Sequence, residues 1–394
     1  MTPGALPVPD YDRGIHHLVP AAVAAVLGRR QDLLPLPDRP KAVAVLVVDG
    51  LGRSLLDRHR SRAPGLADGP GTTLHAPFSS TTATSLTGIG TGRPPGEHGI
   101  VGYSLRVPGD TRPLLALTWS WEVHDPAMAV PDEVVPEELQ PLPTAFDEAR
   151  ALDVRPVTVL REEFVPSGLT RAGLRGGDVV TASGLETTLD AVAAELGAAG
   201  PSIVYAHHGD LDTIGHLTGP GSPEWEEELT RIDTAIRHLA GQLPDDTALV
   251  VTADHGMVHI PPQGFVELTE HPALLAGVTT LTGDPRARQL HTEPDATGHV
   301  LAAWRDHCGG RAHVLSRDEA IRAGWFGPRV LDRVRPHIGD VVVSARDPET
   351  AWVHADADLF GGRLPGMHGA ITPEELEVPA LVFSGGAARP GRAR

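Results

Sequence analysis

Residues 41–50 read KAVAVLVVDG, an apolar run rich in valine that stops at Asp-Gly. Such a run predicts a strand buried on both faces, as in parallel sheets. Similar runs occur at PSIVYAHHGD (201–210), TALVVTADHG (247–256) and VPALVFSGG (378–386), and helical patterns occupy 186–200 and 222–243. The alternation predicts an α/β fold with a mostly parallel central sheet flanked by helices. Ligands of such sheets bind beyond the carboxyl ends of the strands.

The chain of 394 residues is longer than one core usually supports, which predicts a large domain with an insertion. Pro-, Gly- and Arg-rich sequence interrupts the strand and helix alternation after the third strand. We predict an N-terminal helical lead-in (1–40), a core (41–258 and 367–388), an inserted cap subdomain (259–366) and a tail (389–394).

The formal net charge is −18, and Lys41 is the only lysine. This charge repels nucleic acid polymers, so bound divalent cations would have to attract any phosphate ligand locally. Cys308 is the only cysteine, which excludes an intrachain disulfide and thiolate metal sites. No charged leader and no apolar run of membrane-spanning length occurs, so we expect a cytoplasmic protein that acts without a membrane. The sequence does not indicate the oligomeric state.

Carboxylate and histidine side chains follow three of the predicted strands. Such ligands suit zinc or manganese better than calcium or magnesium. Taken singly, each has a structural alternative: an aspartate that caps a helix, or a buried histidine paired with an aspartate. Asp210, His207 and His208 lie close in sequence to Asp212 and His216 and are alternative ligands to this pair. The candidates are Asp49, the pair Asp212 and His216, and the pair Asp254 and His255.

Two further segments carry candidate residues. LPGMHGA (364–370) places His368 between glycines, and residues 76–103 form a hydroxyl-rich loop followed by Gly- and Pro-rich sequence. The loop contains no P-loop motif. It fits either a polar cluster at the start of a helix or a threonine nucleophile whose neighbouring N–H groups hold phosphate oxygens.

In their order and spacing these five elements resemble the alkaline phosphatase superfamily, especially its nucleotide pyrophosphatase/phosphodiesterase branch. The matching motifs are VVDG, Thr82 before GRPPGEHGI, DTIGH, DHGM and MHG, and the match runs from Asp49 to His368. The resemblance implies an alkaline phosphatase-like core. It also implies a hydrolase that cleaves phosphodiester or phosphoanhydride bonds of small molecules through a phosphothreonine intermediate.

The resemblance assigns residues to two divalent metal ions, with zinc expected and manganese as the alternative. Thr82, rather than Thr81, becomes the nucleophile by counting back without gaps from GRPPGEHGI. Two cations can lower the pKa of the nucleophile on one side and stabilise the leaving oxygen on the other. One ion would be held by Asp212, His216 and His368, and the other by Asp49, Thr82, Asp254 and His255.

The sequence departs from the nucleotide-cleaving members just after the nucleophile. Those members place an aromatic residue next and an asparagine three positions on, where this chain has Ala83 and Ser85. We expect Ser85 and Tyr103 to contact substrate, and nucleotide specificity stays open. The alternatives are a phosphomonoesterase or phosphonate hydrolase of the same superfamily, and a non-catalytic metal- or phosphate-binding protein.

Overall fold

The computed structural model describes residues 6–121, 133–355, 358 and 362–386. In this part of the chain the strands are β1 (Ala42–Val48), β2 (Gly71–His75), β3 (Ser104–Arg106), β4 (Pro113–Leu115), β5 (Arg155–Leu160), β6 (Asp178–Thr181), β7 (Ser202–His208), β8 (Thr247–Thr252), β9 (Val258–His259), β10 (Phe265–Glu267), β11 (Val278–Asp284), β12 (Ala287–Thr292), β13 (Ala312–Ser316), β14 (Val341–Ala345), β15 (Ala351–Val353), β16 (Gly366–Met367) and β17 (Glu377–Ser384).

The α-helices of the same residues are α1 (Leu18–Val26), α2 (Arg53–Arg58), α3 (Pro64–Ala67), α4 (Thr82–Thr91), α5 (Pro95–His98), α6 (Pro136–Leu139), α7 (Ala145–Ala151), α8 (Leu185–Gly197), α9 (Asp210–Thr218), α10 (Pro223–Ala240), α11 (Pro272–Leu275), α12 (Thr297–Cys308), α13 (Arg317–Arg322) and α14 (Pro373–Leu376). None of them is long and apolar enough to cross a bilayer.

The central sheet has the order β2-β17-β8-β1-β7-β5-β6. The strands β8, β1, β7, β5 and β6 are parallel. Every residue of β1 and β8 is buried, because helices cover both faces of the sheet. The predicted fold class, an α/β fold with a mostly parallel sheet, is therefore confirmed.

The edges of the sheet differ from the sequence prediction. β17, which we grouped with the parallel strands, runs antiparallel to both β8 and β2. The sequence pattern also missed β2, β5 and β6. β2 and β6 are edge strands with largely exposed or half-buried residues, so neither shows a continuous apolar run. β5 begins Arg-Pro, and Thr158 interrupts its apolar residues, so it does not show a continuous apolar run either.

The predicted lead-in packs on the core. α1 contacts β1 and β7, and Ile15, Leu18 and Val19 belong to the main hydrophobic cluster. The insertion builds a four-stranded antiparallel sheet of order β11-β12-β14-β13 with a second cluster around Trp304 and Trp352. β9 pairs with β16, which brings the two ends of the insertion together. The domain boundaries stay predictions, and residues 387–394, including the predicted tail, lie outside the described residues.

Candidate active site

The three central strands of the sheet end beside one another and carry the candidate ligands. Asp49 directly follows β1. Asp212 and His216 lie one turn apart on α9, which begins just after β7. Asp254 and His255 follow β8 by two and three residues. Because β8, β1 and β7 are parallel neighbours, their carboxyl ends place these side chains at one edge of the sheet.

The first group of donors, the Asp49 cluster, consists of Asp49, Asp254 and His255. The Nε2 atom of His255 lies 3.4 Å from Asp49 Oδ1 and 3.3 Å from Asp254 Oδ2. Asp254 Oδ1 accepts hydrogen bonds from the N–H groups of Gly50 and His255. The other carboxylate oxygens, Asp49 Oδ1 and Asp254 Oδ2, are buried without a hydrogen-bond partner. The cluster therefore presents unsatisfied oxygens to a common point.

The second group, the Asp212 cluster, consists of Asp212, His216 and His368. Here Asp212 Oδ2 lies 3.3 Å and His368 Nε2 lies 3.2 Å from His216 Nε2. Asp212 Oδ1 is buried without a partner. The two clusters adjoin, because the rings of His255 and His368 stack with centroids 3.7 Å apart.

Backbone carbonyls fix the tautomer of all three histidines. The Nδ1 atoms of His216, His255 and His368 lie 2.7, 3.1 and 2.9 Å from the carbonyl oxygens of Gly366, Gly256 and Ser80, respectively. A carbonyl only accepts, so each Nδ1 carries the hydrogen and each Nε2 has a free lone pair, as in metal-ligating histidines.

The donor set fits divalent metal ions. Lone pairs of Nε2 atoms face each other and face carboxylate oxygens at 3.2–3.4 Å, which is repulsive unless positive charge lies between them. Ligands at about 2.0–2.2 Å from one tetrahedral zinc lie about 3.3–3.6 Å apart, close to these separations. A cation bound between the ligands would also give a partner to the buried carboxylate oxygens that have no hydrogen bond in both clusters.

Burial, with the charges of neighbouring like groups, shifts two pKa values in the site. Burial, together with the charges of Asp254 and Asp212, raises the pKa of Asp49 well above its usual range. Burial, together with the neighbouring His255 and His216, lowers the pKa of His368 well below its usual range. Cations would favour the charged carboxylate and the neutral imidazole, the forms that bind metal.

Thr82 is the first residue of α4, and Thr81 precedes it at the N-cap position. The Thr81 side chain makes no capping hydrogen bond, so the alternative of a simple polar cap does not describe this loop. Thr82 Oγ1 lies 3.2 Å from His255 Nε2, beside the Asp49 cluster. α4 is ten residues long, and the N–H groups of its first turn suit an anion.

Ser85 and Tyr103, the two residues expected to contact substrate, differ in whether they line a cavity at the site. Ser85 is fully buried, and its hydroxyl donates to the carbonyl oxygen of Asp254 at 2.8 Å. Substrate contact by Ser85 therefore has no support in this geometry: the side chain holds the Asp254 backbone instead, because α4 turns it away from the cavities. Tyr103 does line a cavity at the site. Ala83 is fully buried and offers no surface for stacking.

Two cavities meet at Thr82. The Arg161 cavity, about 350 Å³, is lined by Arg161, Phe164 and His207 among others. The Tyr103 cavity, about 330 Å³, is lined by residues that include Tyr103 and Asp284. Both are also lined by Thr82, Leu117, Asp212 and Thr213. Thr82, the candidate nucleophile, thus lines two adjoining cavities.

Sequence reasoning missed three residues of these cavities. His207, weighed only as a rival ligand, has its Nε2 3.0 Å from Asp49 Oδ2 and orients that carboxylate. Asp284 lies in the predicted cap, and Arg161 follows the unrecognised strand β5, so neither stood beside a motif. The other rivals, Asp210 and His208, are paired with Arg161 and Glu228.

His208, Asp210 and Glu228 form a further group with metal-ligand spacing. Glu228 Oε1 is 2.9 Å from His208 Nε2, and its other oxygen is 2.9 Å from Arg231. The side chains of this group are therefore paired with one another or with arginines. The two clusters beside Thr82, in contrast, contain carboxylate oxygens without a partner. We therefore interpret this group as an ion-pair network.

Comparisons with known proteins show the family and the fold. Residues 43–370 match the family described as type I phosphodiesterase / nucleotide pyrophosphatase. Murine ectonucleotide pyrophosphatase / phosphodiesterase 5 has a similar structure, with a TM-score of 0.63 at 15% identity, covering 87% of this chain and 88% of that one. Phosphonoacetate hydrolase from Sinorhizobium meliloti, solved with phosphonoformate, gives 0.64 at 20% identity, covering 90% and 93%.

Similarity to curated sequences is local. The catalytic subunit of human GPI ethanolamine phosphate transferase 3 is 42% identical over 55 residues. That segment is 14% of this chain and 5% of the transferase. The chain therefore matches only a small part of the length of the curated relatives.

Proposed function

The chain belongs to the type I phosphodiesterase / nucleotide pyrophosphatase family, and we propose that it hydrolyses phosphodiester or phosphoanhydride bonds of small molecules through a covalent intermediate on Thr82. Members of this family are phosphoester hydrolases that typically use divalent metal ions. The threonine intermediate, the two ions and the substrate class are the proposal.

One observation carries it: Thr82 lies beside two three-ligand clusters, and each cluster contains at least one buried carboxylate oxygen without a hydrogen-bond partner. We propose two zinc ions, with manganese as the alternative, because the donors are imidazole nitrogens and carboxylate oxygens. When bound, such ions supply the positive charge that favours an ionised nucleophile and stabilises the leaving oxygen.

The side chains of this protein account for the remaining steps. Thr82 Oγ1 would attack phosphorus, forming a new O–P bond as the bond to the leaving oxygen breaks. The first N–H groups of α4 would hold phosphate oxygens. Water would then attack the phosphothreonine, releasing phosphate or the phosphomonoester and restoring the threonine hydroxyl. His207 would keep the Asp49 carboxylate oriented through both steps.

The two cavities favour a substrate with organic groups on both sides of phosphorus. Each cavity is within the size range of small-molecule sites, and each is lined by Thr82 together with residues that the other cavity lacks. A phosphomonoester would fill only one of them. The net charge of −18 supports a small-molecule substrate over a nucleic acid polymer.

A phosphonate hydrolase is the second candidate. Arg161, an arginine in a cavity beside Thr82, suits the carboxylate of a small phosphonate such as phosphonoacetate. Phosphonoacetate hydrolase from Sinorhizobium meliloti has a similar fold.

A substrate panel tests the proposal. Protein reconstituted with zinc is assayed with bis(p-nitrophenyl) phosphate, dinucleoside pyrophosphates, p-nitrophenyl phosphate and phosphonoacetate. We expect higher kcat/KM for the diester or the pyrophosphates than for the monoester. If activity were highest on phosphonoacetate, the protein would be a phosphonate hydrolase. If none of the compounds were hydrolysed, the proposal of a hydrolase would be rejected in favour of a binding protein.

Two variants test the nucleophile. Thr82→Ala should abolish the phosphoenzyme detected by mass spectrometry after a rapid quench, whereas the neighbouring Thr81→Ala should retain it. The substitutions remove the same atoms from adjacent residues, so they are matched. A phosphoenzyme in Thr82→Ala, or its loss only in Thr81→Ala, would reject Thr82.

A further inference from the structure

The Arg161 cavity combines one permanent cation with apolar walls. Its lining contains no other arginine or lysine. Phe164 and Leu86 contribute apolar surface, and Ser167 and Thr170 contribute hydroxyls. These features match a ligand that is partly apolar and carries a polar or charged group.

The guanidinium of Arg161 retains hydrogen-bonding capacity. Its side chain is 37% exposed, and within the described residues it donates through one terminal nitrogen, to Asp210 Oδ1. Arginine has five N–H donors in a planar fork that matches the two oxygens of a carboxylate or phosphate. Donors therefore remain for a ligand.

We propose that Arg161 is a specificity-determining residue that selects substrates whose organic group carries a second oxyanion, a carboxylate or a further phosphate. This inference rests on the proposed function, since it places the scissile phosphorus at Thr82. The organic group occupies the Arg161 cavity, and its anion lies against the guanidinium. The substrate is thus at least doubly anionic.

The negative residues of the cavity do not prevent this. Asp49 and Asp212 belong to the clusters proposed to hold cations, and Asp210 already faces Arg161. A partly exposed pair such as Arg161–Asp210 contributes little to folding, so stability alone gives little reason for an arginine here. Asp210 instead competes with the substrate anion for the guanidinium.

The test compares two diesters that differ by one charge: phenyl p-nitrophenyl phosphate and 3-carboxyphenyl p-nitrophenyl phosphate. A third diester, with a phosphate in place of the carboxylate, distinguishes the two kinds of anion. We expect wild-type protein to prefer a charged diester. We define the preference as the ratio of kcat/KM for a charged diester to kcat/KM for the phenyl diester. In Arg161→Gln this ratio should fall by about 10- to 100-fold, because the charge-assisted hydrogen bonds to the second anion are lost. The fall should appear mainly in KM, because the contact holds ground state and transition state alike.

Two further variants separate recognition from structure. Arg155→Gln is the matched control, because Arg155 begins the strand that Arg161 directly follows, is 34% exposed and pairs with Glu195 at 2.6 Å, but does not line the cavity. It should keep the wild-type preference. Asp210→Asn should increase the preference, because it removes the competing carboxylate. Thermal unfolding of all three variants checks folding.

Equal loss on charged and uncharged diesters in Arg161→Gln, or an unchanged preference, would overturn the proposal. Failure of the proposed function has a different signature, namely that wild-type protein cleaves none of the diesters. Binding of 3-carboxyphenyl phosphonate by isothermal titration calorimetry then decides. Weaker binding by Arg161→Gln than by Arg155→Gln supports the anion site without turnover, and equal binding rejects it.

Discussion

Arg286 and Glu375 form a buried ion pair that joins the insertion to the core. Both side chains are fully buried, and the guanidinium donates twice to the carboxylate, at 2.8 Å each. Glu375 also accepts hydrogen bonds from Ala370 N–H and the Thr372 hydroxyl. Ala370 lies two residues after His368, so the pair also supports the loop that carries this ligand.

Arg286→Met should lower the free energy of unfolding by about 3–5 kcal/mol, because it leaves a buried carboxylate without its counterion. The two remaining donors to Glu375 still stabilise its charge, which favours the lower end of that range. Urea-induced unfolding, followed by circular dichroism, measures the change. Metal affinity should also fall, through displacement of the His368 loop.

Two variants complete this experiment. Arg30→Met removes an exposed pair with Asp32, whose side chains are 88% and 75% exposed, and should cost at most about 1 kcal/mol. Glu375→Gln added to Arg286→Met should recover part of the loss, since the uncompensated charge is gone. If Arg286→Met were no more destabilising than Arg30→Met, the reasoning from burial would be refuted.

Four shorter predictions follow from the site. Chelation should abolish hydrolysis, and zinc or manganese should restore it better than magnesium; activity that survives dialysis against chelator would contradict the metal assignment. Thr82→Ser should keep a covalent intermediate, detected as phosphoserine, because serine offers the same oxygen at the start of α4. Gly50→Ala should weaken zinc binding measured by titration calorimetry, since Gly50 has φ +74° and a Cβ there would lie 3.0 Å from Asp212 Oδ1. Gly184→Ala is the control, because Gly184 has a similar φ of +83° but no atom within 4 Å of the added Cβ. It introduces the same kind of backbone strain without the contact and should bind zinc normally. Burial raises the pKa of Asp284 to about 7, so this carboxyl stays protonated in the folded state at pH values where the unfolded chain has ionised it. The contribution of Asp284 to stability is present at low pH and is lost as the pH rises towards 7. In chelator-treated protein, the free energy of unfolding of Asp284→Asn relative to wild type should therefore increase by about 2–3 kcal/mol between pH 5 and pH 8, measured by urea unfolding. A difference that does not change with pH would contradict the pKa shift.

The sequence alone determined the sheet interior and the ligand types. β1, β7 and β8 are buried on both faces, which requires continuous apolar runs that a sequence displays directly. Asp49, Asp212 and Asp254 follow such runs closely, so their placement at one edge of the sheet could be predicted from strand ends. Edge strands such as β6 lack that requirement, because one side faces solvent, and the pattern missed them.

Tertiary structure decided everything that depends on distant segments meeting. His368 reaches His216 across more than 150 positions, and its usable nitrogen is set by the carbonyl of Ser80. The direction of Ser85, buried against Asp254, depends on how α4 packs. Arg161 acquires its place in a cavity only when β5 joins the sheet beside β7. Local sequence specifies which chemical groups a strand end carries, whereas long-range packing specifies which of them face one another.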